Sequence, residues 1–137
     1  MNVNDFAQDW YRFAKMDSDA AYTLFDKMYP QPFEIICYHA QQSAEKLLKG
    51  FLVGNDIDPP KTHDLRLLND MCVEIDERFI ALEKMLSILS RYGVQPRYPR
   101  ELEVTEKDTI QALKFLDSIT AFFKENIFEK ESADTKR

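Results

Sequence analysis

Apolar residues recur at spacings of three and four along most of this chain, which is the period of amphipathic helices. The spacing predicts a first helix from about Asn4 to Tyr29, with the apolar stripe Phe6, Trp10, Phe13, Ala14, Ala21, Leu24 and Met28. Asp17 interrupts this stripe with a carboxylate. Pro30 and Pro32 end the helix, because proline disfavours helical backbone at the residue before it.

A second helix is predicted from about Pro32 to Val53, with Pro32 suited to its first turn. Its core stripe is Phe33, Ile36, Cys37, Ala40, Ala44, Leu47, Leu48 and Phe51. Gly54 and Asn55 are typical residues for the end of a helix. We expect the stiff segment Asp58–Lys61 to connect this helix to the next one.

Two further helices follow the connection. Thr62 is a good N-cap for the third helix, with Asp64 in its first turn, where the helix dipole favours a negative charge. The fourth helix should cover about Asp76 to Tyr92, with Phe79, Leu82, Leu86 and Leu89 at bundle spacing. Gly93 ends it.

The last helix is preceded by the segment Val94–Val104, which contains two prolines and is predicted to be an extended loop. Thr105 begins the fifth helix, with Asp108 placed as in a capping box. We expect a frayed polar tail over 129–137 and one domain over 1–128. Five helices without strands predict an all-α, antiparallel bundle.

Composition narrows the class of protein. The chain has 137 residues, of which only three are glycine, and a net charge of −6, which argues against a general binder of polyanions. No apolar stretch approaches a membrane span, and the N-terminus lacks the features of a secretory signal, so we expect a cytoplasmic protein. Cys37 and Cys72 are interpreted as buried reduced thiols.

Charge is distributed unevenly, however. Between Met85 and Arg100 there is no acidic residue, whereas Arg91, Arg97 and Arg100 all lie in this stretch. The segment therefore predicts a local site for an anion within an acidic protein.

Helix two carries a second stripe, roughly opposite its core, which consists of Ile35, His39, Gln42, Lys46 and Lys49. Glu45 is expected further round, on the plain polar side. The stripe fits three interpretations: hydrogen bonding to neighbouring helices, a dimer or ligand face, or a metal or catalytic role for His39.

Spacing argues against metal chemistry. A di-iron bundle needs Glu-x-x-His, but Ile36 precedes His39 by three residues and Pro60 precedes His63 by three. Other zinc patterns, phosphate-binding glycine loops and serine hydrolase motifs do not occur either. We therefore predict no metal and no cofactor.

Two other polar residues remain open to interpretation. Asp17 can form a structural ion pair or cap a backbone, or it can orient a basic residue such as Lys46 or Arg91 in a groove. His63 is interpreted as a residue at the start of a helix.

Several runs taken together resemble a known family. They are Cys37–Lys46 (CYHAQQSAEK) on helix two, Thr62–Leu65 (THDL), Arg91-Tyr92 and Arg97-Tyr98-Pro99. With Trp10 and Asp17 on helix one, they make nearly the whole chain similar to the HEPN family, named for nucleotide binding in higher eukaryotes and prokaryotes.

This resemblance implies a five-helix domain built on an up-and-down four-helix bundle, usually a homodimer. It also implies a minimal nucleotidyltransferase partner and a toxin–antitoxin role. Many members are metal-independent ribonucleases with an Arg, then four to six residues, then a His. Counting from Arg91, that His would fall at Pro96, Arg97 or Tyr98, so the expected acid–base group is missing. An arginine can hold a phosphate but cannot shuttle protons near neutral pH.

Three functions follow as hypotheses. The first is a nucleotide- or RNA-binding module whose cleft contains Arg91, Arg97 and Tyr98, with Lys46, His39 and Asp17 nearby. The second is a ribonuclease toxin with a degenerate motif, for which the catalytic candidates are Arg91, Arg97, Tyr98 and a substitute base, His39. The third is a structural partner that dimerises through the residues Ile35, His39, Gln42 and Lys46.

Overall fold

The structure is a computed structural model that describes residues 3–93 and 103–128, and every regular element in these residues is helical. The principal helices are α1 (Val3–Lys27), α2 (Phe33–Gly54), α3 (Leu65–Ile75), α4 (Glu83–Leu89) and α5 (Glu106–Phe123). Short 3₁₀ helices, Glu77–Leu82 and Ser90–Tyr92, flank α4, and a π-helical turn, Lys124–Phe128, continues α5. The predicted all-α, five-helix bundle is confirmed.

Two predicted segments fall largely outside these ranges. Only the last two residues of the predicted loop Val94–Val104 are described, so Arg97 and Tyr98 lie outside the described residues. The predicted tail over 129–137 lies outside them as well.

Helix α2 is the centre of the bundle, because it packs against α1 along most of its length and also contacts α3, α4 and α5. This position explains why fourteen of its 22 residues are buried. A helix surrounded on several sides buries polar residues beyond its apolar stripe, which is a feature that periodicity alone does not reveal.

The buried face of α1 differs from the predicted one. Ala7, Tyr11, Ala14 and Ala21 are buried, whereas the exposed fractions of Phe6, Phe13 and Met28 are 49%, 44% and 50%. The helix therefore has two apolar faces, and the face of small residues is the one that packs on α2. Small residues allow close approach, and the Ser43 hydroxyl of α2 donates a hydrogen bond of 2.7 Å to the Ala14 carbonyl of α1.

Side-chain caps define several helix ends, and two of the predicted ends need correction. Helix α3 begins after Asp64, which accepts from the Arg66 and Leu67 amides, so the prediction of Thr62 as the N-cap is wrong by two residues. Thr62 instead accepts from the Asp64 amide. Gly54 still belongs to α2, and the left-handed residue that follows it is Asp56, with φ of 60°.

Of the remaining predictions about helices, one is confirmed and one is corrected. The capping box of Thr105 and Asp108 at the start of α5 is confirmed. The predicted fourth helix is not one continuous α-helix but a short α-helix between two 3₁₀ helices, whose first is capped by Asp76.

Aromatic residues fill the end of the core where α2 and α5 meet the first 3₁₀ helix. Phe79 is fully buried, and its ring centroid lies 4.5 Å from that of Phe51, 4.9 Å from Phe122 and 5.6 Å from Phe123. Tyr11 of α1 joins them, with its ring centroid 6.2 Å from that of Phe123. The Phe51 ring is tilted against Phe79 and the other pairs are edge-on. Such aromatic contacts each stabilise a core by about 0.5–1.5 kcal/mol beyond burial.

Candidate functional site

Helix α2 buries an unusual run of polar side chains. Gln41, Gln42, Ser43, Glu45 and Lys49 are all at most 8% exposed. Buried polar groups are costly unless they are hydrogen-bonded, and buried charges unless they are also paired. The hydrogen-bond and ion-pair partners of these residues are therefore described first.

Glu45 is the centre of the run, with an exposed fraction of 3%. Its Oε2 lies 3.1 Å from Lys49 Nζ, and its Oε1 lies 2.8 Å from His63 Nδ1. The Gln41 amide also donates to Oε1, at 3.3 Å. The carboxylate is thus paired with one buried cation and bonded to two further donors. The prediction that Glu45 faces the plain polar side is wrong.

Gln41 joins α2 to the segment before α3. Its Nε2 donates to the His63 carbonyl at 3.0 Å, and its Oε1 accepts from Gln42 Nε2 at 2.8 Å. His63 itself lies directly before the N-cap Asp64, so the capping interactions fix the backbone that carries the imidazole. We call Gln41, Glu45, Lys49 and His63 the Glu45 network.

The turn that carries Arg91 packs against this network. A Cβ at Gly93 would lie 3.3 Å from Gln41 Nε2 and 3.4 Å from His63 Cβ. The neighbouring Ser90 hydroxyl accepts from the Leu65 amide at 3.1 Å. Arg91 therefore lies two residues before Gly93, which contacts the network, and its side chain is exposed.

Tyr92 anchors the same turn in the core. The residue is 4% exposed, and burial raises the pKa of its phenol to about 12, with the nearby Cys37 and Asp108 adding to the effect and Arg91 opposing it. Hydrogen bonds from Thr105 lower the pKa of Asp108, and Arg91 contributes in the same direction. These electrostatic effects place Arg91 near the start of α5.

A second charged cluster joins α1 and α2. Asp17 Oδ1 lies 2.9 Å from His39 Nδ1, and Asp17 Oδ2 accepts from Lys46 Nζ. The side chain of Asp17 is only 12% exposed, and those of His39 and Lys46 are 26% and 24% exposed. The structure therefore brings together the predicted residues Asp17, His39 and Lys46, and Asp17 forms an ion pair with Lys46.

The second stripe of α2 is more buried than its sequence indicates. Gln42 and Lys49 are each 8% exposed, while Ile35, His39 and Lys46 are intermediate. The structure thus brings His39 and Lys46 into the Asp17 cluster and Lys49 into the Glu45 network. The sequence analysis did not predict that Gln41, Glu45 and His63 are bonded to one another. Gln41 and Glu45 lie one helical turn apart, each beside a core alanine, and this spacing was a usable signal.

The two thiols are deeply buried. Cys37 and Cys72 are free and fully buried. Burial raises the pKa of Cys37 to about 11, against a hydrogen bond with Thr109 that lowers it, and burial raises the pKa of Cys72 to about 12. Both thiols are held in their protonated form near neutral pH, as buried structural cysteines are.

An open groove of about 650 Å³ lies between α3 and α4. It is lined by residues of both charges, namely Asp64, Arg66, Leu67, Asn69, Asp70, Glu83, Lys84 and Ser87. Across residues 3–93 and 103–128, no cluster of three or more His, Cys, Asp or Glu side chains is placed to hold a metal ion. None of the helices described is long and apolar enough to cross a membrane.

Comparison with known proteins gives one match. A family model described as HEPN domain matches residues 7–127, which is most of the chain. Searches of curated proteins and of solved structures each found no match.

Proposed function

We propose that this chain, which belongs to the HEPN family, is a nucleotide- or RNA-binding module that acts with a minimal nucleotidyltransferase protein in a toxin–antitoxin pair. The family is known for functions related to nucleotides and RNA. The observation that carries the proposal is the exposed Arg91, held on a turn that packs against the Glu45 network. This turn begins the stretch that contains Arg97 and Arg100 and has no acidic residue.

Arg91, Arg97 and Tyr98 would form the anion-binding part of the cleft. Guanidinium groups bind phosphate oxygens in pairs of parallel hydrogen bonds, and a tyrosine ring offers a surface on which a base can stack. Lys46 and His39, both paired with Asp17, would form a further wall of this cleft. We expect this binding to occur in the cytoplasm, without a metal or cofactor.

A homodimer is the second part of the proposal. Phe6, Phe13 and Met16 of α1 are 49%, 44% and 54% exposed, and this apolar face adjoins Asp17 on the same helix. Exposed apolar patches of this kind mark interaction surfaces. A dimer that buries this face would continue onto Ile35, His39, Gln42 and Lys46 of α2.

Binding can be tested with purified protein. We expect short RNAs or nucleotides to raise the thermal midpoint of the wild type, and fluorescence anisotropy to show affinity that falls with salt. The Arg91→Ala, Arg97→Ala double variant should bind more weakly and lose about 0.7 from the slope of log K against log salt for each phosphate contact removed. Lys114→Ala, which removes one exposed positive charge from α5, is the matched control.

The outcome that contradicts this proposal is also clear. If no nucleotide or RNA stabilises the wild type, either alone or together with its partner protein, there is no anion-binding site. For the partner itself, we expect the chain to co-purify with the nucleotidyltransferase encoded beside it. Separate elution of the two proteins would contradict that part.

A further inference from the structure

The groove between α3 and α4 has charged walls that are only partly paired with each other. Its lining contains three carboxylates and two cations, and so a net charge of −1, namely Asp64, Asp70, Glu83, Arg66 and Lys84. Asp64 is already used, because it caps α3 and its Oδ1 lies 3.6 Å from Arg66 Nε. The ion pairs found among the described residues include neither Asp70 nor Glu83, both of which are exposed. Lys84 alone cannot balance these two carboxylates, so the groove favours a further positive charge.

A buried amide belongs to the same wall. Asn69 lines the groove although the residue is 1% exposed, and its Nδ2 donates to the Phe79 carbonyl at 3.1 Å. Because a carbonyl can only accept, this bond fixes the amide with its NH₂ group towards Phe79 and its oxygen away from Phe79. Asn69 Oδ1 is buried and has no hydrogen-bond partner among the residues that the structure describes. A buried acceptor is costly to leave unpaired, so Asn69 has an oxygen left to offer to a donor in the groove.

Leu67 adds an apolar surface to this lining. Its exposed fraction is 45%. The group that fits the groove therefore combines a positive charge, N–H donors and an apolar stem. An arginine side chain has all three, because its planar guanidinium pairs with carboxylates through parallel hydrogen bonds and is more weakly hydrated than an ammonium. Its methylene stem packs on apolar surface while the charged end stays at the rim.

We propose that this groove is a docking site for an arginine side chain on the surface of a partner protein. The guanidinium donates to Asp70, Glu83 and Asn69 Oδ1, and the methylene stem covers Leu67. The groove is open, so the backbone that carries the arginine remains outside it. None of the lining residues belongs to the proposed nucleotide- or RNA-binding cleft, so this inference does not depend on that function.

The test is an NMR titration of the isotope-labelled protein with a capped arginine, N-acetyl-arginine N-methylamide. This probe carries the side chain without charged termini. We expect it to shift the side-chain amide signals of Asn69 and the backbone amide signals of Leu67 and Asp70. The capped citrulline is the control ligand, because its urea group has nearly the shape of a guanidinium but no charge, and it should bind much more weakly.

A third probe distinguishes a side chain from a free small cation. Methylguanidinium has the charge and the donors but lacks the methylene stem that covers Leu67. We expect it to bind more weakly than the capped arginine, and Leu67→Gln should remove most of this difference. Equal affinity of the two probes for the wild type would overturn docking of a side chain.

Substitutions in the groove test the role of each charge. Asp70→Asn and Glu83→Gln should each raise the Kd of the capped arginine by about two- to fivefold, as expected for exposed ion pairs. Lys84→Gln should lower the Kd, because it removes a like charge beside the guanidinium. Glu74→Gln is the matched control, since it removes an exposed carboxylate of α3 that does not line the groove, and it should change the Kd least.

The proposal fails on several clear outcomes. Equal binding of capped citrulline and capped arginine would overturn it, as would a Kd that Asp70→Asn and Glu83→Gln leave unchanged. Asn69 side-chain signals that stay in place while the capped arginine binds would show that the buried oxygen is not part of the site, and would overturn it as well. Loss of nucleotide or RNA binding elsewhere on the molecule would leave all of these results unaffected.

Discussion

The ring of Tyr11 lies directly on Gly50, so that a Cβ added at position 50 would be 2.5 Å from Tyr11 Cε1. At this contact α1 lies close against α2, and the close approach depends on the absence of a side chain at Gly50. Tyr11 also packs on Phe128, with 4.7 Å between the ring centroids, so its ring is held from the other side as well.

Gly50→Ala should therefore destabilise the protein, although alanine is the better helix former by about 0.5–1 kcal/mol. The added methyl group displaces a ring in a packed core, which costs about 1–3 kcal/mol. We expect a lower urea midpoint with an unchanged slope. Gly54→Ala, at the end of the same helix and without a left-handed backbone, is the control and should change the free energy of unfolding by less than about 1 kcal/mol. Equal effects of the two substitutions would refute the argument.

Removing one member of the buried ion pair should be more harmful than removing both. Glu45→Leu leaves Lys49 buried without its counter-charge, and breaking such a pair costs about 3–5 kcal/mol. In the double variant Glu45→Leu, Lys49→Met, most of this loss should be recovered, because no unpaired charge remains. Urea unfolding of the two single variants and the double variant measures the coupling, and purely additive effects would contradict it.

Alkaline pH should weaken the fold through its thiols. Burial raises the pKa of Cys37 from 9.0 to about 11 and that of Cys72 from 9.0 to about 12. Above pH 9 the unfolded chain releases these protons while the folded chain keeps them, so the free energy of unfolding falls as the pH rises towards 11. Each thiol contributes up to about 1.4 kcal/mol per pH unit.

Replacing both cysteines with alanine should reduce this dependence. The measurement is urea unfolding of wild type and of the Cys37→Ala, Cys72→Ala variant at pH values below and above the ordinary thiol pKa. Part of the slope should remain at higher pH, because the pKa of the Tyr92 phenol is raised as well. An identical pH dependence in both proteins would show that the thiols are not the cause.

Phe13→Glu should disperse the proposed homodimer without unfolding the monomer. The side chain is 44% exposed within one chain, so a charge is tolerated there unless a second copy covers it. Light scattering coupled to size exclusion measures the mass. Ile80→Glu is the matched control, since Ile80 is 53% exposed but lies on the first 3₁₀ helix. A wild type that is monomeric at all concentrations would contradict the dimer.

The sequence predicted the helices well where local signals decide the structure. The capping box of Thr105 and Asp108 is such a signal, because both of its bonds form within one turn. The sequence predicted helix boundaries and helix types less well where tertiary packing determines the local structure. Asp64 rather than Thr62 caps α3, and the segment around Phe79 is a 3₁₀ helix that is packed against three aromatic rings.

The candidate site was only partly predictable for the same reason. A carboxylate in the apolar stripe of α1 indicated that Asp17 has a partner, and the structure supplies Lys46 and His39. Glu45 gave a weaker signal, namely a polar residue one turn after Gln41, because its partner His63 lies in a different segment of the chain. His63 looked like a helix-start residue, and it is one, but its ring reaches back to α2 over a separation of 18 residues.

The short segment Thr62–Asp64 has a consequence for recognition. Its backbone is tied down by the Thr62 and Asp64 side chains and by Gln41, so the orientation of His63 is set when the protein folds. A ligand that meets this histidine does not have to immobilise it, and the entropy of ordering is lost in folding rather than in association. Such preorganisation favours affinity, because less conformational freedom is lost on binding.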